Sequence, residues 1–133
     1  MIVCLDTNIV IYYVEGDPVW EPKVDRRLKG ILAVGDTLAA SDAARLECLV
    51  GPFRTGNAGV LADYQQFFGS PGLHMLPVTP AVWERAAEIR ATYKFQALDS
   101  IHLASAIEHG CGLFLTNDAQ LARSQSIPVE VLT

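Results

Sequence analysis

Short, largely apolar runs that each close on a polar or acidic residue constrain this chain most. Ile2–Leu5 is closed by Asp6, Leu38–Ala40 by Ser41 and Leu113–Thr116 by Asn117-Asp118. Leu73–Val78 and Val129–Leu132 are two further runs, and Pro77 places the former at a sheet edge or a strand end. Runs this short, without polar alternation, fit strands buried on both faces. Helical patterns stand between them. That alternation predicts an α/β chain with a mainly parallel central sheet of four or five strands flanked by helices.

The helices are marked by their ends. Asp6 can cap a helix over Asn8–Val14, and Val24–Leu32 carries another. Ser41 can cap a helix running to about Val50, with Asp42 in its positive first turn. A helix over Val60–Phe68 ends at Gly69. Thr79-Pro80 opens one that carries Val82, Ala86, Ile89 and Tyr93 on a single face. Leu98–His109 is apolar on nearly all sides and stops at Gly110, so it is expected to be buried. Asp118–Arg123 starts a last short helix.

The 133 residues, 50% hydrophobic and 19% charged, suit one domain, residues 1–133, and exclude a disordered chain. Ile9–Val14 is far too short to span a membrane. Met1–Asp6 has no basic leader segment, which points to a cytoplasmic location. Cys4, Cys48 and Cys111 are odd in number and show no C-x-x-C spacing, so they read as small buried hydrophobes in a reducing compartment.

Four acids carry the chemistry. Ligands of open parallel sheets bind past the carboxyl ends of the strands. Asp6 ends the first strand, Asp118 follows Leu113–Thr116, and Asp99 lies in the first turn of the buried helix. Glu47, between Leu46 and Cys48-Leu49, must face water or be paired. Taken singly, the three aspartates read as helix caps or dipole partners. Gathered at one edge, the four would repel one another, and a hard divalent cation such as Mg²⁺ or Mn²⁺ would relieve that cost. An all-carboxylate metal site suits phosphoester chemistry.

The stretches Val3-Cys4-Leu5-Asp6-Thr7-Asn8, Ser41–Glu47, Leu98–Ala106 and Leu115-Thr116-Asn117-Asp118 resemble the PIN-domain ribonucleases, and among them the VapC-type toxins of type II toxin–antitoxin systems. They follow the family's order and cover nearly the whole chain. The resemblance implies a PIN-like α/β/α sandwich and a metal-binding quartet of Asp6, Glu47, Asp99 and Asp118. It implies endonucleolytic cleavage of RNA by water, with Mg²⁺ or Mn²⁺ and no covalent intermediate. Thr7, Asn8 and Thr116 fall where they would orient a carboxylate, a water or a phosphate oxygen; turn chemistry is the alternative. The pattern departs after the fourth acid, where Ala119-Gln120 stand in place of a basic or bulky residue.

Implied partners are RNA, a VapB-like antitoxin and a second copy of the chain, joined in a larger toxin–antitoxin assembly. A mean hydropathy of +0.24 agrees with a surface buried against a partner. The net charge of -5 falls close to neutral once the quartet is set aside. Lys23, Arg26, Arg27 and Lys29 are the densest basic stretch, and Arg45, Arg54 and Lys94 lie near the motifs; each is a candidate phosphate contact or a solvated face. His102, three residues after Asp99, reads as a hydrogen-bonded packing residue ahead of a metal ligand. Two other functions remain: a non-catalytic metal-binding or receiver-like signalling domain, and a haloacid-dehalogenase-type phosphatase. The latter needs a second acid two residues after the first, where Asn8 stands.

Overall fold

The computed structural model describes all residues, 1–133. In chain order it contains β1 (Ile2–Leu5), α1 (Thr7–Glu15), α2 (Glu21–Ala33), β2 (Thr37–Ser41), α3 (Ala43–Thr55) and α4 (Ala58–Phe68). Then come β3 (Leu73–Leu76), α5 (Pro80–Tyr93), α6 (Ala97–Glu108), β4 (Leu113–Thr116), a 3-10 turn over Ala119–Arg123 and β5 (Val129–Val131). The five strands form one sheet in the order β3-β2-β1-β4-β5, and every neighbouring pair is parallel.

The continuous apolar strands have the expected cause. Side chains alternate across a strand, so both faces of a doubly covered sheet need apolar residues. Val3, Leu5, Leu38 and Leu115 face one core with Ile9 and Val10 of α1, Val24, Leu28 and Ile31 of α2, and residues of α3 and α4. Cys4, Ala39 and Phe114 face the other, under α5 and α6. The seven residues Ser100–Ala106 of α6 are all buried, as its all-round apolar pattern predicts. All three cysteines are free and buried. No helix is long and apolar enough to cross a membrane.

Several boundaries differ from the sequence expectation. Strand β3 stops at Leu76 rather than Val78, because Pro77 has no N–H to continue the ladder; β3 is an edge strand, as that proline required. Ser41 does not cap α3. It remains in β2, in register with Leu76, and Asp42 holds the cap position without a side-chain cap bond. The Ser41 hydroxyl still accepts from the Ala43 N–H at 3.2 Å and from the Ser105 hydroxyl at 2.9 Å, tying β2 to α6. Helix α3 continues past Val50, through Pro52, to a left-handed cap at Gly56. Asn57 caps α4, which starts at Ala58 rather than Val60. The last helix is a 3-10 turn, capped by Asp118, whose carboxylate accepts from the Gln120 N–H.

Strands β1 and β4 are adjacent, yet the chain leaves β1 toward β2 on its other side. Their carboxyl ends therefore flank the switch point of the sheet, where a crevice opens in folds of this kind.

Candidate active site

Asp6 follows the last residue of β1, and its N–H donates to the Leu115 carbonyl of β4 at 2.9 Å. The side chain is 3% exposed and fully engaged. Oδ1 accepts from the Thr7 N–H at 2.8 Å, which caps α1, and Oδ2 accepts from the Thr116 hydroxyl at 2.7 Å. Burial raises its pKa, opposed by the nearby His102 and by these two hydrogen bonds, and the net shift is upward.

Glu47 is paired. Its Oε1 lies 2.5 Å from His102 Nε2 and accepts from the Thr7 hydroxyl at 2.7 Å. Nε2 is also 3.0 Å from the Thr7 oxygen. His102 is 1% exposed, and its Nδ1 is buried without a partner. An Nε2–H directed at Glu47 Oε1 fits this geometry, with the Thr7 hydroxyl donating to the same carboxylate oxygen. Burial raises the Glu47 pKa, but the hydrogen bonds with His102 and Thr7 outweigh it and hold the carboxyl below its ordinary value. His102 is thus the hydrogen-bonded packing residue that the sequence favoured. The pairing explains how Glu47 sits in an apolar helix.

Asp99 makes no hydrogen bond, in contrast to the other acids, and its pKa is pushed up to about 6. Burial is the main cause, and the charges of Asp6, Asp118 and Glu47 add to it. Asp118 is held from beneath, its N–H donating to the Thr116 hydroxyl at 3.0 Å. One Thr116 side chain therefore joins Asp6 to the Asp118 backbone.

Glu47, Asp99 and Asp118 line one cleft of about 460 Å³ together with Asn8, Lys94 and Gln120. Asp6 is buried and does not line it, but its charge acts on Asp99. The four acids are gathered at a single place, the open end of β1 and β4. No three His, Cys, Asp or Glu side chains are brought close enough together to hold a metal ion between them. An open set still fits the chemistry of Mg²⁺, which keeps several waters and takes only one or two carboxylates directly. All the donors are hard oxygens, no thiol faces the cleft, and Asp99 has both oxygens free.

Asn8 donates to Asn117 Oδ1 at 3.2 Å. The cleft wall holds one element that sequence reasoning only brushed: the turn Lys94-Phe95-Gln96 between α5 and α6. Lys94 is the one residue other than glycine with a positive φ, 61°, where it caps α5. A helix stop without glycine was the only available signal. Of the other basic candidates, Arg45 pairs with Asp42 and Arg54 lines a different cavity.

A parallel sheet with carboxylates collected at its switch point defines the class: an α/β domain with an acidic cleft at the carboxyl ends of its central strands. A family model of the PIN domain matches residues 3–125, and the chain belongs to that family. Among curated proteins, no sequence matches it. Solved structures similar to it include VapBC2 from Rickettsia felis bound to a promoter DNA fragment, with TM-score 0.83 and 19% identity over 100% of both chains. A toxin–antitoxin complex from Klebsiella pneumoniae gives 0.74 and 20% over 98% of both. VapC20 from Mycobacterium tuberculosis, described as a sarcin–ricin loop cleaving toxin, gives 0.75 and 13% over 92% of this chain and 95% of that one. At such identities the likeness establishes the fold.

Proposed function

We propose that this chain is a Mg²⁺- or Mn²⁺-dependent endoribonuclease of the VapC kind, silenced by a VapB-like antitoxin. The observation that carries the reading is the gathering of Glu47, Asp99 and Asp118 in one cleft beside buried Asp6. Membership of the PIN family supports it.

In this reading Asp99, Glu47 and Asp118 hold the cation, with Asp6 completing the quartet. When bound, the cation supplies Lewis acidity, activating water and neutralising charge on the scissile phosphate. The chain's own residues supply the frame. Thr116 fixes Asp6 and Asp118 relative to each other. Thr7 and His102 fix Oε1 of Glu47, and Oε2 makes no hydrogen bond. Lys94 places a positive charge on the wall, suited to a phosphate oxygen. No hydroxyl or thiol nucleophile lines the cleft, which accords with direct attack by water.

The antitoxin is supported by the toxin–antitoxin neighbours and by an apolar groove on α3. There Leu46 is 61% exposed and Phe53 66%. A basic side chain from the antitoxin, placed in the cleft, would pair with Asp99 and compete with the cation. A second copy of the chain within a larger toxin–antitoxin assembly belongs to the same reading.

The test is incubation of the pure protein with end-labelled total RNA, with and without Mn²⁺, beside Asp99→Asn. Discrete fragments that need both Mn²⁺ and Asp99 are expected. Cation binding without cleavage would favour the signalling alternative, and neither binding nor cleavage would remove the metal reading.

A further inference from the structure

The densest positive stretch of the sequence separates into paired and unpaired cations. Lys29 pairs with Asp25 at 2.8 Å, and Arg27 makes two bonds to Glu130 at 2.6 and 2.8 Å. Lys23 and Arg26 are exposed and have no carboxylate partner. With Arg27 and Gly30 of α2, and Leu132 and Thr133 after β5, they line a cleft of about 310 Å³. It opens at the same end of the sheet as the acids. The Leu132 N–H donates to the carbonyl of Thr116, the residue that holds Asp6 and Asp118.

A continuous set of side chains links the two clefts. Asn8 lines the acid cleft and donates to Asn117. Asn117 Nδ2 donates to the Tyr12 hydroxyl at 2.7 Å. The Tyr12 ring stacks on Trp20, with centroids 5.4 Å apart and planes at 12°. The Lys23 ammonium lies 4.9 Å from the centroid of Trp20.

We propose that this track binds single-stranded RNA and leads it to the acid cleft. Phosphates draw Lys23 off the Trp20 ring and sit on it and on Arg26, a base takes the ring face that Lys23 vacates while Tyr12 backs the other, and Asn8 and Asn117 face the nucleotide beside the scissile phosphate. The proposal rests on the nuclease reading above. Free cations beside aromatic rings are the grip that single strands use, because every base has a π-face and every nucleotide a charge. An acidic protein segment would match the cations but leave the stacked ledge unused. The track also answers the overall negative charge, since positive potential is needed only along the path of the strand.

The test measures binding of a fluorescein-labelled single-stranded RNA of about 12 nucleotides to the full chain carrying Asp99→Asn, across a salt series. In that background Lys23→Ala/Arg26→Ala is expected to raise Kd about tenfold and lower the log–log salt slope by about 1.4, the share of two phosphates on a single strand. Trp20→Ala should raise Kd roughly fivefold or more, and Trp20→Phe should retain most of the affinity. With Asp99 intact, the double variant should raise KM and leave kcat unchanged. Arg90→Ala, exposed on α5 across the sheet, should change nothing. Both basic side chains are exposed, so the double variant carries the test even where Trp20→Ala fails to fold. An unchanged Kd and slope, while the wild type cleaves RNA, would overturn the track and leave the nuclease standing. RNA neither bound nor cut would remove both. RNA binding retained, with loss of binding to polyglutamate, would reassign the surface to an acidic protein partner.

Discussion

His102 Nε2 and Glu47 Oε1 meet at 2.5 Å across 55 positions of sequence, and the Thr7 hydroxyl touches both. The contact joins α6 to α3 behind the cleft. Removing the imidazole leaves the part-buried Glu47 carboxylate with the Thr7 hydroxyl as its one remaining partner, beside a void. His102→Ala should therefore destabilise the protein by about 2–4 kcal/mol, measured by urea unfolding. His102→Gln, which keeps an amide donor within reach, should cost less than half of that. Equal losses would mean that volume, not the hydrogen bond, is what His102 supplies.

Asp99 stands on the opposite side of the balance. Its pKa is raised from 3.8 to about 6, so ionisation costs the folded state more than the unfolded one. The cost is absent below pH 3.8, grows between 3.8 and about 6, and is complete above that. In EDTA, Asp99→Asn should melt higher than the wild type at pH 7.5, with a gap that closes as the pH falls to about 4. Millimolar Mn²⁺ should raise the wild-type Tm and leave that of the variant nearly unmoved. A variant that melts lower in EDTA would make Asp99 a helix-dipole partner and no more.

The positions of the acids were legible because a parallel strand must be apolar along its whole length, so its end is visible where Asp6 or Asn117-Asp118 begins. The buried α6 was legible for the same reason. The Glu47–His102 pair was not: each residue declares its need for a partner, but the 55-residue separation hides which partner it finds. Ser41 misled because capping preference is local, while its place in β2 is decided by the pairing with Leu76. Pro52 lies inside α3. The proline leaves the Cys48 carbonyl without its helical donor, and the burial of its ring offsets part of that penalty. The wall at Lys94–Gln96 is a product of how α5 and α6 turn, which no short motif encodes.

Glu130 holds the short edge strand β5 to α2 through Arg27. The hydrogen bond and charge of Arg27 lower its pKa from 4.5. This stabilisation is fully present above 4.5 and is lost as the pH falls through the depressed folded value. Both side chains are about a third exposed, so solvent limits the pair's worth. Glu130→Gln should cost about 0.5–1 kcal/mol at pH 7 by chemical denaturation, and the difference should vanish near pH 3. A difference that persists there would trace to packing of β5 rather than to charge.

Thr116 concentrates the site's order in one hydroxyl. It is fully buried, donates to Asp6 at 2.7 Å and accepts from the Asp118 N–H at 3.0 Å. Thr116→Val keeps the shape and β propensity but deletes both bonds. Asp6 then loses one of its two hydrogen bonds at 3% exposure, and the turn that carries Asp118 loses its anchor. We expect a loss of about 1–3 kcal/mol in stability and at least about tenfold in the rate of RNA cleavage. Thr116→Ser restores both bonds and should recover most of the rate, with a small packing cost for the missing methyl. The two variants therefore separate the hydroxyl from the methyl group. If Thr116→Val cleaves at the wild-type rate, Asp6 and Asp118 do not need to be held in register, and Asp99 with Glu47 would have to carry the cation without them.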